Sequence, residues 1–315
     1  MPRYYYTLSF MVQSKVKNKT KYGKEGIVGV LFAMTPVLGF LIFGVAPLIF
    51  AVAMSFMHIR GFNISNATFA GVDNYTRLIG HDNFWHSIRV TLVAALAMPV
   101  SLIISLIIAN FMHHNKFGTK AFRTIFFIPF VCSAVAVAIM WRWVFDFNFG
   151  ILNTFRNSLG LDPIPWLTSG EYIWISMIIM GVWSGTAFGI ILYSAALNNV
   201  PKAYYEAAKI DGAGSIRRFF NITLPGISPT TFFLLTVGLI GSLQDFTRFF
   251  VMLGRGAGAE REGLTVVFWL FQMGYDNMHT YGMGMAAAWS IIVGAGIIII
   301  TRINFWLSKK WVHYE

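Results

Sequence analysis

The sequence predicts an all-α polytopic membrane protein with six transmembrane helices, and three observations carry that prediction. Of the 315 residues, 56% are hydrophobic and 12% are charged, against roughly 25% charged in a soluble domain. Six charge-free runs meet or approach the ~20 residues a helix needs to cross the hydrocarbon core. Basic residues gather on alternate loops, which is how a membrane protein fixes its direction.

In chain order the runs are 27–56, 90–111, 124–141, 172–197, 226–244 and 281–301. None alternates polar and apolar residues as a membrane strand does. A seventh apolar run, 263–275, is too short to span and reads as a re-entrant or interfacial segment, or as part of an outer loop. No small-residue cleavage site follows the first apolar patch, so no cleavable signal peptide is expected. Sixteen basic residues fall on one side of the six runs: Arg3 and five lysines before residue 27, then Lys116, Lys120, Arg123, Lys202, Lys209, Arg217, Arg218, Arg302, Lys309 and Lys310. Six fall on the other: Arg60, Arg77, Arg89, Arg156, Arg255 and Arg261. Both termini are therefore expected in the cytoplasm, with a tail 1–26, a six-helix transmembrane domain 27–308 and an end 309–315. The net charge of +11 is then a topology signal, and no nucleic-acid partner is needed to explain it.

Single residues inside the runs are read conservatively. Cys132 has no thiol partner and reads as a small buried apolar residue. Pro36, Pro47, Pro99 and Pro129 bend membrane helices or free a carbonyl. Gly185 and Gly189, with Gly181 before them, make a small-xxx-small pattern suited to helix contact.

The loop 198–225 is the most informative stretch. Pro201 suits a first helical turn. Glu206, Ala207 and Ala208 continue that helix, and Gly212 or Gly214 ends it in a left-handed cap. Ser215 is placed to cap a second helix, which Leu224 and Pro225 end before the fifth run. The small residues Ala207, Ala208, Gly212 and Ala213 would let another surface come close.

The spacing of Glu206, Ala207, Ala208, Gly212, Ile222, Leu224 and Pro225 resembles the EAA loop of type I ABC importer permeases. Tyr204 through Ala213, which includes Asp211, looks like the carbohydrate-uptake members, the maltose and multiple-sugar type. So do residues 71–75, 141–145, 150–153, 166–167 and 309–312. The resemblance implies an inner-membrane subunit of a prokaryotic importer. In the family this loop is a coupling helix that docks on a cytoplasmic ATPase. The implied partners are a second homologous permease, an ATPase dimer, an extracellular solute-binding protein and membrane lipid. No cofactor is implied for this chain; ATP and Mg belong to the ATPase. The segment 254–263 departs from the family pattern, being longer and more charged.

No phosphate-cradling Gly-x-x-x-x-Gly-Lys-Ser/Thr occurs, nor a nucleophile elbow or zinc-protease helix. The chain is therefore expected to be non-catalytic. His113 and His114 read as a polar loop pair with no metal. By resemblance, the solute path takes Ser184, Gly185 and Phe188 from the fourth run and Gly241, Gln244, Asp245 and Arg248 from the fifth. Gln244, Asp245 and Arg248 would share one face of a continuous helix. Two readings of Asp245 and Arg248 stay open, a sugar-binding pair and a pair that only neutralises itself. The substrate is expected to be a sugar or oligosaccharide, with a glycerol-phosphate ester or charged saccharide as the alternative. An ion-coupled carrier would need midplane ionisable groups, for which only Asp245 and Arg248 offer themselves. A membrane scaffold would leave the coupling loop unexplained.

Overall fold

The computed structural model describes residues 24–59, 61, 63–114, 124, 126 and 130–313. The basic tail before residue 24, Arg60, the basic loop with Lys116, Lys120 and Arg123, Pro129 and much of the start of the run 124–141 lie outside the described residues, as does the side chain of His114. The chain forms two compact units, 1–50 and 51–315.

In the first unit, α1 (Lys24–Phe40) leads into a π-helical turn, Leu41–Val45, and α2 spans Ala46–Ser55. The wide turn has a sequence cause. Pro47 lacks an N–H, and its ring would press on the carbonyl four residues back; one extra residue in the turn relieves that. Leu31, Phe32, Phe40 and Phe43 are all exposed, and a helix apolar on every side belongs in lipid or in a protein interior.

The second unit takes in the second half of α2, residues 51–55, and then a two-stranded antiparallel ribbon, β1 (Met57–His58) and β2 (Thr68–Phe69), with Met57 opposite Phe69. It is fastened to α3 (Asp73–Ile79). Asn74 Nδ2 donates to the carbonyls of Ser55 and Met57, each at 2.9 Å, and Tyr75 donates to Ser55 Oγ at 2.7 Å. Residues 71–75, met above as a family feature, thus hold the entry to the unit in place.

α4 (Asp82–Ala95) and α5 (Ala97–His114) follow one path with a break at Leu96. Pro99 cannot donate to the carbonyl of Ala95, so the helix opens there. The span-length helix is Asp82–His113, which starts eight residues before the run 90–111 because a helix continues past the apolar zone where polar residues cap it.

The third run is not a continuous helix. The chain breaks at 132–133, and α6 covers Ala134–Val144. Cys132 stands in that break and is exposed, which corrects its reading as a buried residue. After α7 (Ile151–Ser158) the loop to α8 (Gly170–Asn199) is organised by Asn153, fully buried. Its Nδ2 donates to the carbonyls of Phe147 and Ile164, and its Oδ1 accepts from Ile164 N and Trp166 Nε1.

Next come α9 (Lys202–Ile210), α10 (Ser215–Arg218), a π-helical turn Phe219–Thr223, α11 (Leu224–Gly226) and α12 (Ser228–Leu243). The path Ser215–Gly226 meets Ser228–Leu243 at a 63° bend. Leu224 and Pro225 therefore lie inside the helical path and do not end it. The wide turn precedes Pro225 as the earlier one precedes Pro47, and Pro229, unable to bond back to residue 225, leaves the break at Ile227. The fifth run accordingly begins at Ser228.

The remaining helices are α13 (Thr247–Leu253), α14 (Val266–Phe271), α15 (Met278–Tyr281) and α16 (Met283–Ser308). The short run 263–275 becomes α14 and a π-helical turn, with Phe268, Trp269 and Met273 fully buried. Among the described residues four helices are long and apolar enough to cross a membrane, 27–55, 82–113, 170–199 and 283–308, or five if the bent pair is one span.

Two cores hold the second unit. One is aromatic, built around Phe145, Phe249, Phe268, Trp269 and Trp289. The other lies toward the loop 198–225 and contains Leu102, Tyr193, Leu197, Ile227 and Leu234. Between apolar helices in lipid there is no hydrophobic drive to associate, so close approach has to do the work. Gly181, Gly185 and Gly189 on α8 supply it. A Cβ on each would strike, respectively, the Arg248 guanidinium and Ala97, Ser101, and Ser105. Ser105 Oγ also donates to the Thr186 carbonyl across the two helices at 3.0 Å.

Candidate functional site

Two regions contain the residues singled out from the sequence. The first is the exposed turn formed by α9 and α10. Helix α9 starts after Pro201, which is its N-cap rather than its first turn. It ends in a Schellman motif: Ala213 N donates to Ala208 O at 2.9 Å and Gly212 N to Lys209 O at 3.1 Å. Gly212 carries the required left-handed backbone, φ +71°. Gly214 does not share that role, since its φ is −66° and it is the N-cap of α10; Ser215 is the residue after the cap and makes no capping bond.

Glu206, Ala207, Asp211 and Gly212 are exposed, while Ala208 and Ala213 are half-buried. Around Gly212 stand two apolar side chains, Ile210 at 87% and Ile216 at 75% exposure. Leu224 and Pro225 lie back from this surface and are half-buried. The turn is tied to its own bundle by Tyr205, whose hydroxyl lies 2.8 Å from Thr223 Oγ1.

The second region is an open cavity of about 300 Å³ lined by α4, α5, α8, α12 and the start of α13. Ser184, Gly185, Phe188, Gly241, Asp245 and Arg248 all line it. Six of the seven residues expected together are thus together. Gln244 is not among them. α12 ends at Leu243, Gln244 caps it, and its side chain is exposed. The shared face assumed a continuous helix, and residues 244–246 form a break instead.

That break places Asp245 against Arg248. Nη2 of Arg248 is 2.7 Å from Oδ2 of Asp245, with 12% and 22% of the two side chains exposed. So the pair neutralises itself, and both residues also line the cavity. Arg248 further lies over the Phe249 ring at 5.1 Å, and its Nε is buried with no partner among the described residues. Phe188 stacks on Phe130, rings 11° apart at 5.3 Å. The Asp245 carbonyl accepts from Thr265 Oγ1 at 3.0 Å, and Thr265 caps α14.

Residues 101–313 match the family described as binding-protein-dependent transport system inner membrane component. The chain belongs to this family. The probable ABC transporter permease protein YesP of Bacillus subtilis (strain 168) is 34% identical over 307 residues, covering 95% of this chain and 96% of the relative. The arabinooligosaccharides transport system permease protein AraP of the same organism is 31% identical over 288 residues, 89% and 88% of the two chains. Among solved structures, a bacterial alginate ABC transporter in complex with its pentasaccharide-bound periplasmic protein has a chain with the same fold, at TM-score 0.79 and 24% identity, covering 91% of this chain and 96% of that one.

The permease is thus a multi-pass membrane component of an ABC transporter that works with a binding protein. Several residues of its cavity were not legible beforehand. Gly181 makes room for the Arg248 guanidinium; its glycine spacing pointed only to helix contact. Ser101, Met98 and Ser242 line the cavity from helices with no polar motif. Thr265 reaches Asp245 from 20 residues away. The unusual segment 254–263 packs partly into the bundle. Glu262 is buried and Arg261 Nη1 donates to Asn83 Oδ1 at 2.8 Å.

Proposed function

We propose that this permease is a membrane-spanning subunit of an ATP-driven importer of sugars or oligosaccharides. The observation that carries the reading is the connection of the two regions by one element. Helix α12 starts at the foot of the exposed turn and ends at Leu243, two residues before Asp245 in the cavity wall. A push on Glu206, Ala207, Ala208, Asp211, Gly212 and Ala213 from a partner ATPase would pass through the buried hinge Ile227 into α12. That would move Gly241 and Asp245 against Ser184, Gly185 and Phe188. Serine hydroxyls, a carboxylate and an aromatic face suit sugar hydroxyls and C–H groups. The arabinooligosaccharide system of the relative AraP supports this substrate class.

In this reading ATP and Mg act on the separate ATPase dimer, and this chain performs no hydrolysis. A second, homologous permease completes the path, and an extracellular binding protein delivers the solute. The layout is a tail 1–26, a six-helix domain 27–308 with both ends in the cytoplasm, and an end 309–315. The run 124–141 supplies the remaining span, of which α6 is the described end. A reporter fused after residue 315 should be active in the cytoplasm, and one inserted near Asp162 should be active outside; the reverse pair of results rejects the orientation.

The function itself is tested on the complex purified with its partners. A panel of oligosaccharides, offered with the cognate binding protein, is read as stimulated ATP hydrolysis and as uptake into vesicles. At least one saccharide should stimulate, and none doing so rejects the reading. In the same assay Asp245→Asn should lower uptake about tenfold, since a hydrogen bond to a charged group is worth about 1.5–3 kcal/mol. Phe188→Ala should raise the sugar concentration for half-maximal uptake. Unchanged kinetics in both variants would remove this cavity from the path.

A further inference from the structure

A second cavity, about 470 Å³, lies behind the exposed turn. Its wall brings together the end of α5, through Asn110 and His113, with Tyr205 and Lys209 of α9, Arg218 of α10 and Thr223. A lysine, an arginine and an imidazole face this space, with an amide and the hydroxyls of Tyr205, Ser215 and Thr223 beside them. No carboxylate lines it among the described residues. The Nε of Arg218 is buried and has no hydrogen-bond partner among the described residues, so a charged donor is waiting for an acceptor. Cations and neutral donors without an anion select a phosphate, which offers several strong acceptor oxygens to a guanidinium and an ammonium at once.

The outside of α5 indicates where that phosphate comes from. Ile103, Ile107 and Phe111, one turn apart, are each about three-fifths exposed. They form an apolar stripe that runs along a span-length helix and ends level with Asn110 and His113. Phe220, next to Phe219 in the cavity wall, is also exposed. Apolar stripe below and basic pocket above match acyl chains and headgroup of one molecule. Basic pockets at the end of membrane helices are suited to anionic headgroups.

We propose that this cavity binds the phosphate of an anionic phospholipid, which bridges α5 to the turn α9–α10. The bound headgroup would hold the turn in one orientation relative to the bundle. Its place in coupling rests on the reading of that turn given above, but its binding does not, and the test reads binding alone.

The importer complex is placed in nanodiscs of phosphatidylcholine with a minor fraction of phosphatidylglycerol that carries a photoactivatable headgroup. Labelled peptides are then mapped by mass spectrometry. Label should concentrate on peptides holding 110–113 and 205–223. Arg218→Gln should lower it about tenfold, in keeping with loss of one charge-assisted bond. Arg218→Lys, which keeps the charge, should retain most of it and separates ligand loss from misfolding. Label spread evenly over the bundle, or equal label in Arg218→Gln, overturns the proposal. Label seen only after the ATPase is stripped away would mean that a protein group fills the cavity, and also overturns it. Inorganic phosphate that protects Lys209 from acylation in pure phosphatidylcholine discs, while phosphatidylglycerol does not, would assign the site to a free phosphate and reject the lipid.

Discussion

Gly212→Trp abolishes uptake while the permease stays in the membrane at normal abundance. The structure separates the two costs of that change. Any L-residue at φ +71° pays about 1 kcal/mol for a left-handed backbone. The first added atom meets nothing in the described chain, since a Cβ on Gly212 has no atom within 4 Å and the residue is exposed. The indole would project from the surface, toward whatever docks on the turn. Overpacking a close interface costs about 1–3 kcal/mol, so the loss should approach a hundredfold. Gly212→Asn is the control. Asparagine tolerates the left-handed region and projects little volume, so uptake should stay near the parent value. Uptake and membrane abundance are measured together for both variants. Parent-level uptake by the tryptophan variant at normal abundance would show that nothing packs against Gly212.

Gly189→Leu fails one step earlier, in the bundle. A Cβ there would lie 2.6 Å from Ser105 Cβ, and Ser105 is fully buried and bonded to the Thr186 carbonyl. Neither helix has anywhere to retreat, since the contact repeats one turn away, where a Cβ on Gly185 would lie 2.7 Å from Ser101 Oγ. The expected cost is about 1–3 kcal/mol for the single change and more for Gly185→Leu with Gly189→Leu. It should appear as a several-fold drop in folded permease extracted from the membrane and a lower unfolding temperature. Gly294→Leu on α16 has open space around it and should leave both unchanged. Equal losses at 189 and 294 would mean that these glycines are not packing devices.

The legible part of this protein was what one dimension of a membrane enforces. Spans at 27–55, 170–199 and 283–308 came close to the apolar runs because hydrocarbon leaves a helix no other way to satisfy its backbone. The turn α9–α10 was legible because proline, glycine and small residues constrain the backbone locally. Gly212 in particular reports its own dihedral angle through its lack of a side chain. Pro99, Pro47 and Pro225 announced breaks or wide turns, although the positions, Leu96, 41–45, 219–223 and Ile227, came from the structure.

Three things resisted. The break at 244–246 contains no proline or glycine, so nothing local separated Asp245 from a continuous helix, and Gln244 was assigned to a face that does not exist. Cys132 followed the average for its type and was misplaced by an unforeseen break beside it. Asn153 stood in the sequence only as part of the family-like stretch 150–153, and its role as the buried anchor of the loop after α7 depends on Phe147, Ile164 and Trp166.

The sequence by itself determined the membrane class, the apolar segments and the exposed turn with its left-handed glycine, because each depends on solvent or on dihedral preferences within a few residues. Only the tertiary structure decided which residues share a space. Arg248 fits beside Asp245 because Gly181, on another helix, gives up a side chain for it, and Thr265 holds the break from a third segment. Such contacts join residues 20 to 67 positions apart. Their energies depend on distances of a few tenths of an ångström between helices, and no residue carries that distance in its own identity.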